Sequence, residues 1–476
     1  MIVQLRNNVI FFSPHMKPQP SSPAQRAIRP FDVVCLLLGL IGGALWLYCN
    51  YTLPDYGRGL RCGDAGEYIR LTETKLSTVF EHSSVRVFGY PFFLAVIRLL
   101  IPNDGYLLAT ALIQFLLHII GSSFLFFALR RSGLKIPYGA LGLLFAYPAL
   151  NGVNALTLTD GIATSFTSFM LGTTILLLNN TSFFRTKSII LGLLFGILIS
   201  LRPSISTSMW PFLAVVVLCI HFSRRSLGEH CKATLKSILS FLFFYAVGCG
   251  PIYGHLVHNC YRSSGELCTI SSYHVAEWVP VSFRKAIQYS RIWGIVRPDG
   301  TFDWGSTGDG VLERCDVGRQ NTTEQLLSCY RSNFTRLPRH FFRRTLGIFD
   351  NRHLNPYAAL LTSPSEELTL RLFSIVGLMG LLAAILHGTA ALAAGSWPHV
   401  ACLSFPLIFL GIQLNFHTET RYIFPIQPIL FLLGLYSLQP SAFTKRWLYA
   451  MYLVGSAALI WIFINVVTYW DTISQP

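Results

Sequence analysis

A short acidic segment, Gly63-Asp64-Ala65-Gly66-Glu67-Tyr68, offers the clearest group of reactive side chains in this sequence. On a helix, Asp64, Glu67, Tyr68 and Leu71 would share one face, because they are three or four residues apart. Two carboxylates and a phenol on one face could hold a substrate and take a proton from a hydroxyl group. The same spacing fits a solvated helix with a wet acidic face, and both interpretations stay open.

Further charged or polar side chains stand at the ends of apolar runs, namely Arg86, Asp160, Arg202, Glu419, Arg421 and Tyr422. Asp160 is a candidate for proton transfer, although a carboxylate at a helix start also caps free N–H groups. Arg202 could bind a phosphate through its planar guanidinium, or it could be an interfacial arginine that reaches toward water. For Glu419 and Arg421 the alternative to a binding role is a local ion pair in a polar turn.

The composition indicates the environment of these side chains. Of the 476 residues, 52% are hydrophobic and 12% are charged, against about 25% charged in an ordinary soluble domain. Such a chain is an integral membrane protein that crosses the bilayer many times. Its net charge of +15 is spread over many short loops, so we expect no nucleic-acid binding. We interpret residues 1–31 as a disordered cytoplasmic tail, because they contain no adequate signal-peptide core.

Apolar runs of about twenty residues predict the spans. There are eleven, at 32–53, 106–129, 137–156, 160–178, 188–207, 205–222, 236–257, 372–394, 397–416, 421–437 and 447–469. Residues 88–101 are apolar but too short, which favours an interfacial or re-entrant segment. We therefore predict an α-helical integral membrane protein with about eleven transmembrane helices.

The basic residues set the orientation of these spans. Four basic loops fall on one side with the N-terminal tail, at 130–135, 185–187, 224–236 and 445–446. By the positive-inside rule that side is cytoplasmic. The domains that follow are an N-terminal transmembrane catalytic module at 32–257 with its first outer loop at 54–105, an outward-facing soluble loop domain at 258–371, and C-terminal transmembrane helices at 372–476.

The middle of the predicted spans contains few polar side chains, mainly Gln114, His118, His387 and Gln413. A transporter is expected to place polar groups near the bilayer midplane, whereas the charges here collect at the outer ends. Scattered histidines and the absence of Walker and HExxH sequences give no sign of a nucleotide or zinc site. We accordingly predict no metal and no cofactor.

Four cysteines lie in the long outer loop, Cys260, Cys268, Cys315 and Cys329. Disulfides persist on the oxidising side of a membrane, and four cysteines allow three pairings. Proximity in the sequence favours Cys260–Cys268 together with Cys315–Cys329.

Several of these segments, in the same order, resemble the GT-C superfamily of polytopic glycosyltransferases, in the protein O-mannosyltransferase and aminoarabinose transferase branch. The similar segments are the Asp64 loop, Gly89-Tyr90-Pro91-Phe92-Phe93-Leu94, Leu158-Thr159-Asp160, Leu201-Arg202-Pro203 and Arg421-Tyr422-Ile423-Phe424-Pro425. Together they cover roughly 32–220 and 400–437. The sequence departs from the family in two respects: Glu67 is offset from the second acidic position, and Arg202 stands where a lysine is common.

The resemblance implies a glycosyltransferase that takes a sugar from a polyprenyl-phosphate donor on the periplasmic or luminal face. Asp64 matches the catalytic acidic residue, and Arg202 and Arg421 are candidate contacts of the donor phosphate. Direct displacement with Asp64 as the base would invert the anomeric centre. The expected partners are the lipid-linked donor, the bilayer and an acceptor that cannot be carried over from the family. We expect a bacterial inner membrane rather than the endoplasmic reticulum.

Two other functions fit parts of the sequence. A transporter or flippase of a lipid-linked saccharide would share the many spans and the lipid-phosphate ligand. A non-catalytic membrane scaffold would leave Asp64, Asp160 and Arg421 far apart. The positions of these segments in the fold therefore discriminate between a site and a scaffold.

Overall fold

The computed structural model of the chain describes residues 29–52, 64–74, 76–80, 88–103, 105–180, 182–226, 230–268, 291–296, 302–307, 323–351, 364–416, 420–443 and 445–473. The predicted cytoplasmic tail lies almost wholly outside these residues.

Eleven helices make up the N-terminal part of the chain within that description. They are α1 Pro30–Thr52, α2 Asp64–Thr72, α3 Leu76–Phe80, α4 Gly89–Leu100, α5 Gly105–Arg131, α6 Tyr138–Phe145, α7 Pro148–Asn154, α8 Thr159–Asn179, α9 Phe184–Leu201, α10 Pro203–Ser226 and α11 Cys231–Ser264. Apolar residues fill the middle of the long helices, and basic residues stand at ends such as Arg130–Arg131 and Arg224–Arg225.

The rest of the chain begins with an antiparallel hairpin of β1 Arg291–Val296 and β2 Phe302–Thr307, in which Arg291 pairs with Thr307 and Val296 with Phe302. The helices that follow are α12 Thr323–Ser332, α13 Leu337–Phe349, α14 Pro364–Ala393, α15 Trp397–Phe416, α16 Gln427–Ser437 and α17 Arg446–Ile473. Short 3₁₀ helices lie at Phe334–Arg336, Thr420–Ile426 and Pro440–Ala442.

Proline sets the break between α9 and α10. A proline disfavours helical geometry in the residue before it, and Arg202 accordingly is extended, with φ −148° and ψ 93°. Pro203 begins α10, where its missing N–H costs no helical hydrogen bond. Arg202 therefore belongs to neither α9 nor α10 and lies at the junction between them.

The most extensive helix–helix contact among the described residues joins α9 and α11. Gly192 lies against the Tyr245 carbonyl, and Gly248 lies against the Ile189 carbonyl. A side chain at either glycine would separate the two backbones, and small residues are how membrane helices come this close.

One hydrophobic core runs through both groups of helices, from Leu125 and Phe195 to Phe405 and Phe431. Helix α8 contacts α15, α16 and the 3₁₀ segment Thr420–Ile426. The N-terminal and C-terminal helices thus form one packed bundle around α8.

Within the described residues, nine helices are long and apolar enough to cross a membrane. Two further predicted spans are built differently: 137–156 is the broken pair α6 and α7, and 421–437 is a 3₁₀ segment followed by α16. The prediction of a helical membrane protein is confirmed, and the exact number of crossings stays a prediction. The short run 88–101 forms the 12-residue helix α4.

The disulfide prediction is confirmed for Cys260–Cys268, at the end of α11. Cys329 is also disulfide-bonded. Cys315, its expected partner, lies outside the described residues, so that pairing stays a prediction.

Part of the long segment 258–371 enters the bundle. The second half of α13 is buried, and the residues that follow it are bound to other helices: the Asn351 backbone N–H donates to Ser374 Oγ of α14 at 3.0 Å, and its Nδ2 donates to Tyr147 Oη at 2.7 Å. The Tyr147 ring packs on Phe373 and on Phe431, and these two rings also stack on each other. The predicted outward-facing domain is thus anchored among the membrane helices through α13.

Candidate functional site

A buried ion pair joins Asp160, in the first turn of α8, to Arg202 at the end of α9. Arg202 Nη1 donates to Asp160 Oδ1. Asp160 is only 1% exposed and Arg202 only 7% exposed. Burying two charges is tolerated when each neutralises the other and their hydrogen bonds are satisfied. Arg202 Nε also donates to Ser204 Oγ at 3.3 Å.

An aromatic ring completes this cluster. The guanidinium carbon of Arg202 lies 4.3 Å from the ring centre of Tyr422, in the 3₁₀ segment Thr420–Ile426. A cation above an aromatic face is attracted by the negative face of the ring. Three elements distant in sequence, the start of α8, the end of α9 and the 3₁₀ segment, therefore meet at one guanidinium. We call Asp160, Arg202 and Tyr422 the arginine cluster.

The structure excludes one alternative for each of two of these residues, and their roles in proton transfer and phosphate binding stay predictions. Asp160 does not cap α8, because the N-cap position is Leu158 and no side chain there makes a capping hydrogen bond. Arg202 does not reach toward water, since it is buried against Asp160 and Tyr422.

The acidic segment at 64–68 forms the first part of α2, whose main contact is with α4. Ala65 and Tyr68 are buried in a small hydrophobic cluster that also contains Leu158, Ile162 and Leu201. Leu158 and Ile162 flank Asp160 in the sequence, and Leu201 precedes Arg202. Helix α2 therefore belongs to the same hydrophobic cluster as the segments that carry the ion pair.

Tyr68 is part of this packing. Its ring meets the Tyr90 ring edge to face, with centroids 5.0 Å apart, and Tyr68 is buried. Burial raises the pKa of the Tyr90 phenol well above its ordinary value, and the neighbouring phenols Tyr68 and Tyr106 raise it further. Tyr90 therefore stays neutral and keeps its hydroxyl proton as a hydrogen-bond donor.

Gln114 connects α4 to the turn that precedes α8. Tyr90 Oη donates to Gln114 Oε1 at 3.2 Å, and Gln114 Nε2 donates to the carbonyl oxygens of Asn154 and Leu156, both at 2.9 Å. All these groups are buried. The amide thus joins α4, which supports α2, to the turn that leads into Asp160.

Gly89 brings the start of α4 onto the end of α9. A Cβ at this position would lie 2.5 Å from the Ser200 carbonyl oxygen, two residues before Arg202. No side chain fits at that distance. The glycine of the Gly89–Leu94 segment therefore allows direct contact of two backbones beside the arginine cluster.

The remaining predicted site residues are only partly described. Arg86 and Glu419 lie outside the described residues. The side chains of Asp64 and Arg421 also lie outside, although α2 begins at Asp64 and a 3₁₀ turn contains Arg421. Glu67 is half-buried on α2. The 3₁₀ segment that contains Arg421 contacts α8, and α2 belongs to the hydrophobic cluster that includes the neighbours of Asp160. The roles of Asp64, Asp160 and Arg421 stay predictions.

Sequence reasoning missed a second polar group that lies near the arginine cluster. Arg344, Asp350 and Asn351 are fully buried at the inner end of α13, and α13 contacts the 3₁₀ segment that carries Tyr422. One feature of the sequence could have indicated this buried group. His340, Arg344 and Gly347 are three or four residues apart, so they share one face of α13, and that face is buried.

Metal-binding side chains do not cluster in the part of the chain that the structure describes. No group of three or more His, Cys, Asp or Glu side chains there could hold a metal ion. Asp64 lies outside that search, so the expectation of a metal-free reaction stays a prediction.

Comparison with solved structures finds the same fold in the Archaeoglobus fulgidus oligosaccharyltransferase. Its crystal structure in the apo form matches with a TM-score of 0.50 and 13% identity, over 92% of this chain and 55% of that chain. The same enzyme in complex with an inhibitory peptide and a dolichol-phosphate gives a TM-score of 0.48 and 13% identity, over 92% and 55% of the two chains. No family model and no curated protein sequence matches.

The chain thus has the GT-C fold, as the sequence resemblance predicted. It spans about half the length of the archaeal enzyme, 55% of that chain.

Proposed function

We propose that this protein is a membrane glycosyltransferase that moves a sugar from a polyprenyl-phosphate donor to an acceptor hydroxyl on the periplasmic or luminal face. The observation that supports the proposal is the meeting of Asp160, Arg202 and Tyr422 in a bundle with the fold of an oligosaccharyltransferase, with α2 in the hydrophobic cluster that includes the neighbours of the ion pair. In the proposal, the Asp64 carboxylate at the start of α2 is the base and the Arg202 guanidinium binds the phosphate.

In this proposal Asp64 is the base. It takes the proton of the acceptor hydroxyl while the oxygen forms a bond to the anomeric carbon. The bond between that carbon and the phosphate oxygen breaks, and polyprenyl phosphate leaves with the electron pair. Because the acceptor enters opposite the leaving group, the anomeric configuration inverts.

Arg202 and Arg421 are the proposed contacts of the donor phosphate. Arg202 is held by Asp160 on one side and by the Tyr422 ring on another. A side chain that is ordered before binding loses less entropy when it meets a ligand. Asp160 is in this scheme a positioning residue, because its observed contact is with Arg202. Glu67, Arg86 and Glu419 remain candidate substrate contacts.

The first experiment removes the proposed base. The full chain is reconstituted in liposomes with polyprenyl-phosphate-linked sugars and a membrane extract as the source of acceptor, and the release of polyprenyl phosphate is measured. Asp64→Asn should lower turnover at least 100-fold, since general-base catalysis contributes about 10²–10⁴-fold.

The matched control is Glu73→Gln, which neutralises an exposed carboxylate just beyond α2 and should keep normal turnover. Near-normal turnover of Asp64→Asn would contradict the assignment of the base. Donor that crosses the bilayer intact, without loss of its sugar, would favour the alternative of a flippase for a lipid-linked saccharide.

A further inference from the structure

A basic and aromatic surface lies where α12 leads into α13. It consists of Arg331, Phe334, Arg336, Arg339 and Phe342, all exposed, and we call it the arginine–phenylalanine surface. We infer that it binds the phosphate headgroups of anionic lipids in the outer leaflet. The inference concerns a lipid contact outside the arginine cluster and does not depend on the transfer reaction.

The charge of this segment has one sign. Residues 325–349 contain five arginines and neither Asp nor Glu. Arg344 is fully buried and Arg343 half-buried, whereas Arg331, Arg336 and Arg339 face outward. Arginines concentrated in one segment attract anionic headgroups, and each Lys or Arg close to the surface strengthens the attraction about fivefold.

The depth of the surface follows from the contacts of α13. Asn351 binds Ser374 of α14, two residues inside the predicted span 372–394. The buried end of α13 therefore meets the bundle at the outer boundary of that span. Because α13 is only 13 residues long, its arginines stay within about 20 Å of this boundary.

The exposed rings fit the same level. Phe334 is 75% exposed and Phe342 is 40% exposed. Interfacial helices insert such rings at the boundary of headgroups and acyl chains, while their arginines meet the phosphates. Exposed phenylalanines give no advantage in binding a soluble anion, which is why we assign a lipid and not a free phosphate.

The test measures lipid binding by the full-length protein in mild detergent, using native mass spectrometry. The probes are dioleoylphosphatidylglycerol, dioleoylphosphatidylcholine and glycerol 3-phosphate. Replacing two exposed arginines, R336Q/R339Q, should weaken phosphatidylglycerol binding about 25-fold and leave phosphatidylcholine binding unchanged. The charge-retaining variant R336K/R339K should bind phosphatidylglycerol within about threefold of the unmodified protein, because a lysine also meets a phosphate.

The matched control is K445Q/R446Q, which removes two exposed cations on the predicted cytoplasmic side and makes the same change in net charge. It should keep phosphatidylglycerol binding. An equal loss in both double variants would overturn the inference, since it would show a general effect of charge. Competition by glycerol 3-phosphate as effective as that by phosphatidylglycerol would also overturn it in favour of a soluble-anion site. If R336Q/R339Q does not fold, R339Q alone decides, and unchanged binding in that variant refutes the inference.

Discussion

Asp160 and Arg202 neutralise each other where both side chains are buried. Removing one partner would leave a buried charge, which typically costs about 3–5 kcal/mol. We therefore expect Asp160→Asn to lower the free energy of unfolding by about that amount, measured by denaturant titration in detergent. The control is Glu367→Gln, which breaks the partly exposed pair with Arg371 and should cost about 0–1 kcal/mol.

A double variant separates the structural role of the pair from its role in transfer. Asp160→Leu with Arg202→Met removes both charges and fills similar volume, and such replacements are often neutral for stability. We expect stability close to that of the unmodified protein together with loss of transfer. Retained transfer in a stable double variant would remove Arg202 from the proposed phosphate site.

At the scale of single residues the sequence identified Asp160, Arg202 and Tyr422 but not their contact. Asp160 and Arg202 are 42 residues apart in the chain, and local patterns carry no information on which span ends meet. Arg202 did carry a local signal, because Pro203 fixes the break between two helices. Arg344 and Asp350 were missed because a segment rich in arginine is typical of a solvated loop.

At the scale of elements, Gln114 determines how α4 and the turn before α8 are joined. Tyr90→Phe leaves the buried Gln114 Oε1 without its donor, which should cost about 1–3 kcal/mol. The lost hydrogen bond also holds the Tyr90 ring that packs on Tyr68. We therefore expect faster hydrogen exchange in residues 64–72 and slower transfer. Exchange is read by mass spectrometry of peptides from the folded protein.

The control is Tyr452→Phe, which removes a buried hydroxyl that donates to the Gly434 carbonyl at 3.0 Å on another side of the bundle. It should lose similar stability and leave exchange in α2 unchanged. If both variants alter α2 equally, Gln114 has no specific part in placing that helix.

The elements themselves were predictable to different degrees. The long helices α5, α8 and α14 were predictable, because a run of about twenty apolar residues indicates a helix that spans the bilayer. The broken pair α6 and α7 was read as one span, since hydropathy does not record the bend before Pro148. The hydrophobic cluster that α2 shares with the neighbours of Asp160 and Arg202 depends on packing between distant helices and could not be predicted from spacing.

At the scale of the whole molecule, the alternation of spans predicts which ends face the cytoplasm. Cys231 is exposed at the start of α11, on the predicted cytoplasmic side. We expect an impermeant maleimide to leave Cys231 unlabelled in intact cells and to label it after permeabilisation, as located by mass spectrometry. Ser332→Cys, an exposed position on the predicted outer side, should be labelled in both conditions. The reverse labelling pattern would show the opposite orientation and would place the proposed reaction at the cytoplasmic face of the membrane.

The buried end of α13 also constrains the order in which the protein is assembled. The ribosome delivers α13 before α14, α15 and α16, yet α13 packs against α14, α15 and the 3₁₀ segment before α16. Its arginines make insertion into the bilayer by the translocon unfavourable. We therefore expect the segment to stay outside the bilayer during synthesis and to enter the bundle only after the C-terminal helices have been inserted. Maturation of the protein would then end with a post-translational docking step in which α13 closes the bundle.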